Sequence, residues 1–317
     1  MHYGWCEVTC ESAEFATAVH RKNAVFSAIL TAAVAAWVSR RELEPAFAVG
    51  STLPELAPSR AAANVVVAAL VMSMGFANTR MNPPPESKEP KEERWFVMTP
   101  VGSAAYLTYW TLSFVTQYFV WSTFSELACA GYLDGLGAAC ARAFPAALGL
   151  VLQVFPRGLE DFARRSLAAA YFAAPFCEGW AISLTLLWLK FNWFEDKWQE
   201  LVVKYWRARN VPIARIQWWA HLTALVVPLD ILLCKDARLL GTHAMPLFPT
   251  CVAAVGGLGC FYMLQTDLLF CVNGGYWPYP FLVKLNTAPK QAGLVSGIVA
   301  AVCGLCWGCN AAARALV

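Results

Sequence analysis

LGAACARAFPAALGLVLQVF, Leu136–Phe155, is the stretch on which the topology turns. By length it could span a bilayer, which takes about 20 mostly apolar helical residues. Arg142 lies inside it, however, and Pro145 breaks it, because proline lacks the N–H a helix needs and clashes with the preceding turn. The clean run that remains is the ten residues Ala146–Phe155. That suits a re-entrant or interfacial segment and not a span. The stretch is therefore read as not crossing.

The apolar blocks on either side are less equivocal. They are Ala24–Ser39, Ala61–Thr79, Pro100–Phe124, Ser166–Phe191, Ile216–Cys234, Leu247–Val272 and Ala292–Ala313. No strand-like alternation interrupts them and no internal repeat relates them. The whole chain is 58% hydrophobic and 14% charged, with a mean hydropathy of +0.48. A soluble domain is nearer a quarter charged. The expected fold class is all-α, a polytopic transmembrane helix bundle. A short N-terminal anchor helix at 24–39 belongs to an extension covering 1–59. The bundle proper covers 60–317, with a charged linker at 80–95 and an insert at 125–158.

The net charge of +3 is small and scattered, so nucleic acid is not an expected partner. Most of the twelve cysteines lie in apolar runs, not in the polar loops of a disulfide-framed secreted domain. If 136–155 does not cross, one face holds the start of the 100–124 span, the start of the 216–234 span and the loop after 272. That face carries fourteen Lys and Arg against ten on the other, which points it toward the cytoplasm.

Two residues near that face could carry chemistry. His221 stands about two turns into "RIQWWAHLTALVVPLDILL", roughly 8 Å deep at about 1.5 Å per residue. An ionisable group there must face the bundle interior or a wet cavity, so a hydrogen-bonded interior histidine and a catalytic one are equally open readings. Thr99, in "RWFVMTPVGSAAYLTYW", is placed like a helix cap before Pro100. A capping threonine can also be a nucleophile when a base lies in reach, and the topology allows His221 to be that base.

The intramembrane acids Glu126, Glu178, Asp230 and Asp267 are each expected to make an interhelical hydrogen bond. Asp230 is nine residues from His221, on the opposite helix face, and so a poor partner for it. A lone histidine is too little for a metal site. "CGLCWGC", Cys303 to Cys309, has no fourth ligand nearby and reads as small packing residues. Neither metal nor cofactor is expected. Gly293, Gly297, Ala301, Gly304 and Gly308 form a small-residue stripe, from which the last helix is expected to be a tightly packed interior one. "NGGYWPYPFL", Asn273–Leu282, stops a helix with its glycines, bars regrowth with its prolines and places its aromatics at the interface.

Taken together, "RWFVMTP", "WWAHLTALVVPLDILL" and "YWPYPFL", with "FCEGWAISLTLLW" as a third-helix match, resemble the androgen-induced / androgen-dependent TFPI-regulating family of multi-pass membrane hydrolases, to which rolling-stone proteins are related. The resemblance covers about residues 60 to 312. It implies six spans, with the N-terminal helix and the 125–158 insert as extras. It implies an intramembrane hydrolase of lipid esters, such as fatty acid esters of hydroxy fatty acids, with Thr99 as nucleophile and His221 as base. Tyr276, Trp277, Tyr279 and Trp218 would then border the substrate. Position 218 departs from the family, where a second histidine is frequent. Membrane lipids and a lipid ester are the implied partners, in the endoplasmic reticulum, with the mitochondrial inner membrane as the other placement. Because some relatives are structural or developmental, the alternative is a non-catalytic subunit of a membrane complex or a scaffold.

Overall fold

The structure, a computed structural model, describes residues 13–40, 47, 62–70, 107–127, 142, 158–188, 226–243, 250–272 and 280–315. Among them the regular elements are all helical and none is a strand. In order they are α1 (Ala13–Arg40), α2 (62–70), α3 (Leu107–Leu127), α4 (Gly158–Trp188), α5 (Val226–Leu233), α6 (Ala237–His243), α7 (Val252–Val272), a 3-10 turn (Pro280–Leu285) and α8 (Ala288–Ala315). Among the described residues, three stretches are long and apolar enough to cross a membrane: Glu160–Leu187, Val252–Cys271 and Ala288–Ala312. The all-helical, membrane-compatible class expected from the sequence is thus borne out. Of 136–155 only Arg142 is described, and it is exposed.

The organising helix is α4, which packs most extensively against α3 and α8. It begins well before its apolar run, because Glu160 pairs with Arg164 and Asp161 with Arg165 at 2.9 and 2.8 Å. Such i,i+4 pairs, acidic end first, also complement the helix dipole. Pro175 within α4 deprives the Tyr171 carbonyl of its usual N–H.

The direction of α4 against α3 is fixed at both ends. Phe162, near the start of α4, packs its ring on Trp121 and Phe124 at 5.2 and 5.0 Å. Trp180, near its end, donates Nε1–H to Thr111 Oγ1 at 2.7 Å. Early α4 meets late α3 and late α4 meets early α3, so the two are antiparallel. Similarly α7 and α8 are antiparallel: a Cβ on Gly259 would lie 3.0 Å from Val295, one on Gly256 would lie 3.7 Å from Val299, and Gln291 donates to Asp267 at 2.8 Å.

The last helix differs from expectation. Only 18% of its apolar window is buried, against 78% in α4. Val302, Cys303 and Cys306 form its buried side. A Cβ built on Gly293, Gly297, Gly304 or Gly308 meets nothing within 4 Å among the described residues. The small residues therefore mark its open face, and helix packing uses the Val/Cys side instead. Where α4 meets this side the small residue belongs to α4. A Cβ on Gly179 would lie 2.7 Å from Cys306 Sγ and 2.8 Å from the Val302 carbonyl oxygen.

The apolar part of α1, Ala24–Arg40, coincides with the expected anchor, but the helix starts at Ala13. It is seated on the bundle through Phe26 against Tyr109 and Trp110, Gln117 Nε2–H donating to Thr31 Oγ1, and Val38 packed with Phe162 and Ala169.

Candidate functional site: a buried polar network across three segments

A bilayer gives apolar helices little reason to prefer one another over lipid, so close packing and interhelical hydrogen bonds decide association. One dense set of such bonds lies inside this bundle. Tyr118, Ser122 and Glu126 are spaced four apart, which puts them on one face of α3. Facing them are Asn64 from α2, Asp230 from α5 and Lys235 from the turn after α5. All six are buried, and Asn64, Ser122, Glu126 and Asp230 are 0% exposed.

Asn64 is the hinge of the arrangement. Its Nδ2 donates to Asp230 Oδ1 at 2.9 Å and to Ser122 Oγ at 3.2 Å, while its Oδ1 accepts from the Thr123 hydroxyl at 2.7 Å. The Tyr118 hydroxyl donates to the other Asp230 oxygen. Lys235 Nζ donates to Ser122 Oγ and to Glu126 Oε1, the latter at 2.8 Å, and lies 3.5 Å from Asp230 Oδ2. Its ammonium also sits 5.8 and 5.7 Å from the ring centres of Tyr118 and Tyr171, within reach of a cation–π attraction. The Tyr171 hydroxyl in turn accepts the Asp236 N–H at 3.0 Å.

Burial disfavours the charge on Lys235, but Asp230 and Glu126 outweigh it and hold the lysine pKa above its ordinary value. That decides what the site can do. A serine beside a lysine is the arrangement of Ser–Lys hydrolases, in which a neutral lysine takes the serine proton. Here the ammonium donates to Ser122 Oγ and to Glu126 and faces Asp230, so the lysine is engaged as a donor and not placed as a free base. No group of three His, Cys, Asp or Glu side chains fit to hold a metal occurs among the described residues. The network is a polar clamp that joins α2, α3 and α5. Tyr118→Phe removes one donor from a buried carboxylate and should lower stability by about 1.5–3 kcal/mol, read as an earlier midpoint in detergent unfolding.

Thr99, Trp218, His221, Tyr276, Trp277 and Tyr279 lie outside the described residues. Leu107, which opens α3 eight residues after Thr99, packs against the buried cluster of Tyr262, Met263 and Leu282. Leu282 ends the "YWPYPFL" stretch. The start of α3 and the chain just after the aromatic run are therefore neighbours. The expected interhelical bonds of Asp230 and Asp267 are observed, and Cys303 and Cys306 do pack as buried residues.

Lys235 escaped the sequence reading because a lysine after an apolar run looks like a span boundary. Asn64 and the Tyr118–Ser122–Glu126 spacing were the available signals. Compared with protein-family models, curated proteins and solved structures, the chain matches none.

Proposed function

We propose that this chain is a multi-pass membrane hydrolase of lipid esters, of the kind its resemblance implies, with Thr99 as nucleophile and His221 as base. The observation that supports it is the packing of Leu107 against Leu282, Tyr262 and Met263. It brings the chain that follows Thr99 beside the chain that follows Tyr276, Trp277 and Tyr279. The antiparallel run of α3 and α4 supports a non-crossing 136–155, since a single crossing between them would make them parallel. It thereby supports the shared face on which Thr99 and His221 depend, and the count of six spans plus α1.

The reaction needs little else. His221 takes the Thr99 hydroxyl proton as Thr99 Oγ attacks the ester carbonyl. The leaving alcohol takes that proton back, and an acyl-threonine remains. Water, activated by His221, then releases the fatty acid and restores the threonine. Backbone N–H groups near Thr99 are the proposed oxyanion donors. Tyr276, Trp277, Tyr279 and Trp218 frame the entrance for a substrate arriving from the bilayer, and an endomembrane location follows from the same resemblance.

The test is labelling of the purified protein by a fluorophosphonate, together with ester turnover. Thr99→Ala should abolish both, and His221→Ala should slow turnover by about 10²–10⁴-fold. Thr108→Ala belongs beside them, because Thr108 is the described threonine nearest the same end of α3. Labelling lost in Thr108→Ala and kept in Thr99→Ala would move the nucleophile. The open glycine face of α8 favours a second reading, a subunit of a membrane complex. Folded wild type that neither labels nor turns over, but copurifies with a partner, would establish that reading instead.

A further inference from the structure

Apart from the polar clamp, a second cluster of reactive side chains is buried where α4, α7 and α8 meet. Cys251, just before α7, lies with its sulfur 3.7 Å from Cys303 Sγ and 3.9 Å from Cys306 Sγ. All three are free thiols and buried. A thiol with two others in reach is not needed for packing, since Ala or Val would fill such space without the hazard of oxidation.

The two partners of Cys251 are not equivalent. Cys306 donates its S–H to the Pro175 carbonyl at 2.8 Å, and its sulfur occupies the space a Cβ on Gly179 would fill. It is engaged with the α4 backbone through that bond and would have to give it up to reach Cys251. Cys303 points its S–H at Cys251. A disulfide needs its sulfurs at about 2.05 Å. Of the two gaps that Cys251 faces, the one to Cys303 is the shorter, 3.7 Å against 3.9 Å.

We propose that Cys251 and Cys303 are an oxidisable pair, a redox-modification site that reversibly ties the start of α7 to α8, with a membrane-permeant hydroperoxide as oxidant. The Cys251 thiolate attacks the outer peroxide oxygen and the O–O bond breaks. The alcohol, or water, leaves with the thiol proton, and Cys251 becomes a sulfenic acid. Cys303 sulfur then attacks Cys251 sulfur, the S–O bond breaks, and hydroxide departs as water with the Cys303 proton. Two thiols are oxidised by two electrons in all, and one hydroperoxide is reduced to an alcohol and water. Cys260 and Cys271, exposed on α7, serve as internal controls for single thiols.

The full chain in lipid nanodiscs, reduced and then freed of reductant, is treated with hydrogen peroxide or cumene hydroperoxide. Remaining thiols are blocked with N-ethylmaleimide and the peptides are weighed. The expected result is a Cys251–Cys303 cross-linked peptide, two fewer titratable thiols per chain, and reversal by phosphine reductant. Cys306→Ala keeps the link. Cys251→Ala and Cys303→Ala lose it, and Cys251→Ser and Cys303→Ser repeat the test should an alanine variant misfold. Oxidation of Cys251 to sulfinic acid without a link, a link through Cys306, or full retention of both thiols would each overturn the assignment.

Discussion

Lys235→Met should be the most damaging single substitution in the described bundle, at about 3–5 kcal/mol. The methionine fills much of the same space, so the loss is electrostatic. Glu126 and Asp230 would remain at 0% exposure without the ammonium that bonds one and sits 3.5 Å from the other. Removing one partner of a buried ion pair leaves the other's desolvation uncompensated, which costs more than the pair itself contributes. The second arm distinguishes charge from shape. Glu126→Gln added to Lys235→Met removes one stranded charge, while Asp230 keeps Asn64 and Tyr118. About half the lost stability or more should return, because contacting residues in one network are not additive. Unfolding of nanodisc protein in sodium dodecyl sulfate reads both variants. Equal loss in the single and double variants would mean the lysine acts by packing alone.

Gly179→Ala comes second. Its new methyl would meet Cys306 Sγ at 2.7 Å and, less forgivingly, the Val302 carbonyl oxygen at 2.8 Å. A side-chain sulfur can turn aside, whereas a helix carbonyl moves only with its helix. The substitution must push α8 off α4, at about 1–3 kcal/mol of overpacking. Gly297→Ala on the open side of α8 meets nothing within 4 Å among the described residues and should gain up to about 1 kcal/mol from helix propensity. The two variants add the same methyl group to a helical glycine. Opposite shifts in their unfolding midpoints are the expected result, and equal shifts would refute the close contact.

The stripe on α8 shows where sequence reading stops. Gly293, Gly297, Ala301, Gly304 and Gly308 mark a face on which another helix could lie close, and the sequence carries no sign of whether one does. In the folded chain the close approach is at Gly179, a lone glycine in "CEGWA" that no periodicity flags. Three of the expected spans were legible as long apolar helices, α4, α7 and α8, because runs of 20 apolar residues have few other uses. Their ends were less so. Hydropathy does not register the Glu160–Arg164 and Asp161–Arg165 pairs that carry α4 back to Gly158. The polar clamp was half legible: Glu126 and Asp230 were expected to bond between helices, but their shared lysine was not. Its partners on α3, Glu126 and Ser122, lie 109 and 113 residues earlier in the chain, beyond any local pattern.

That separation also sets a schedule for biogenesis. Asn64, Ser122 and Glu126 are synthesised long before Asp230 and Lys235 exist. At about 5–20 residues per second, the hundred-odd residues between Glu126 and Lys235 take roughly 5–20 s to make. For that interval a carboxyl group destined for the interior has no ammonium to meet. Its charge is left without the partner that offsets its burial in the folded chain. The clamp thus closes only after the second half of the chain has been made.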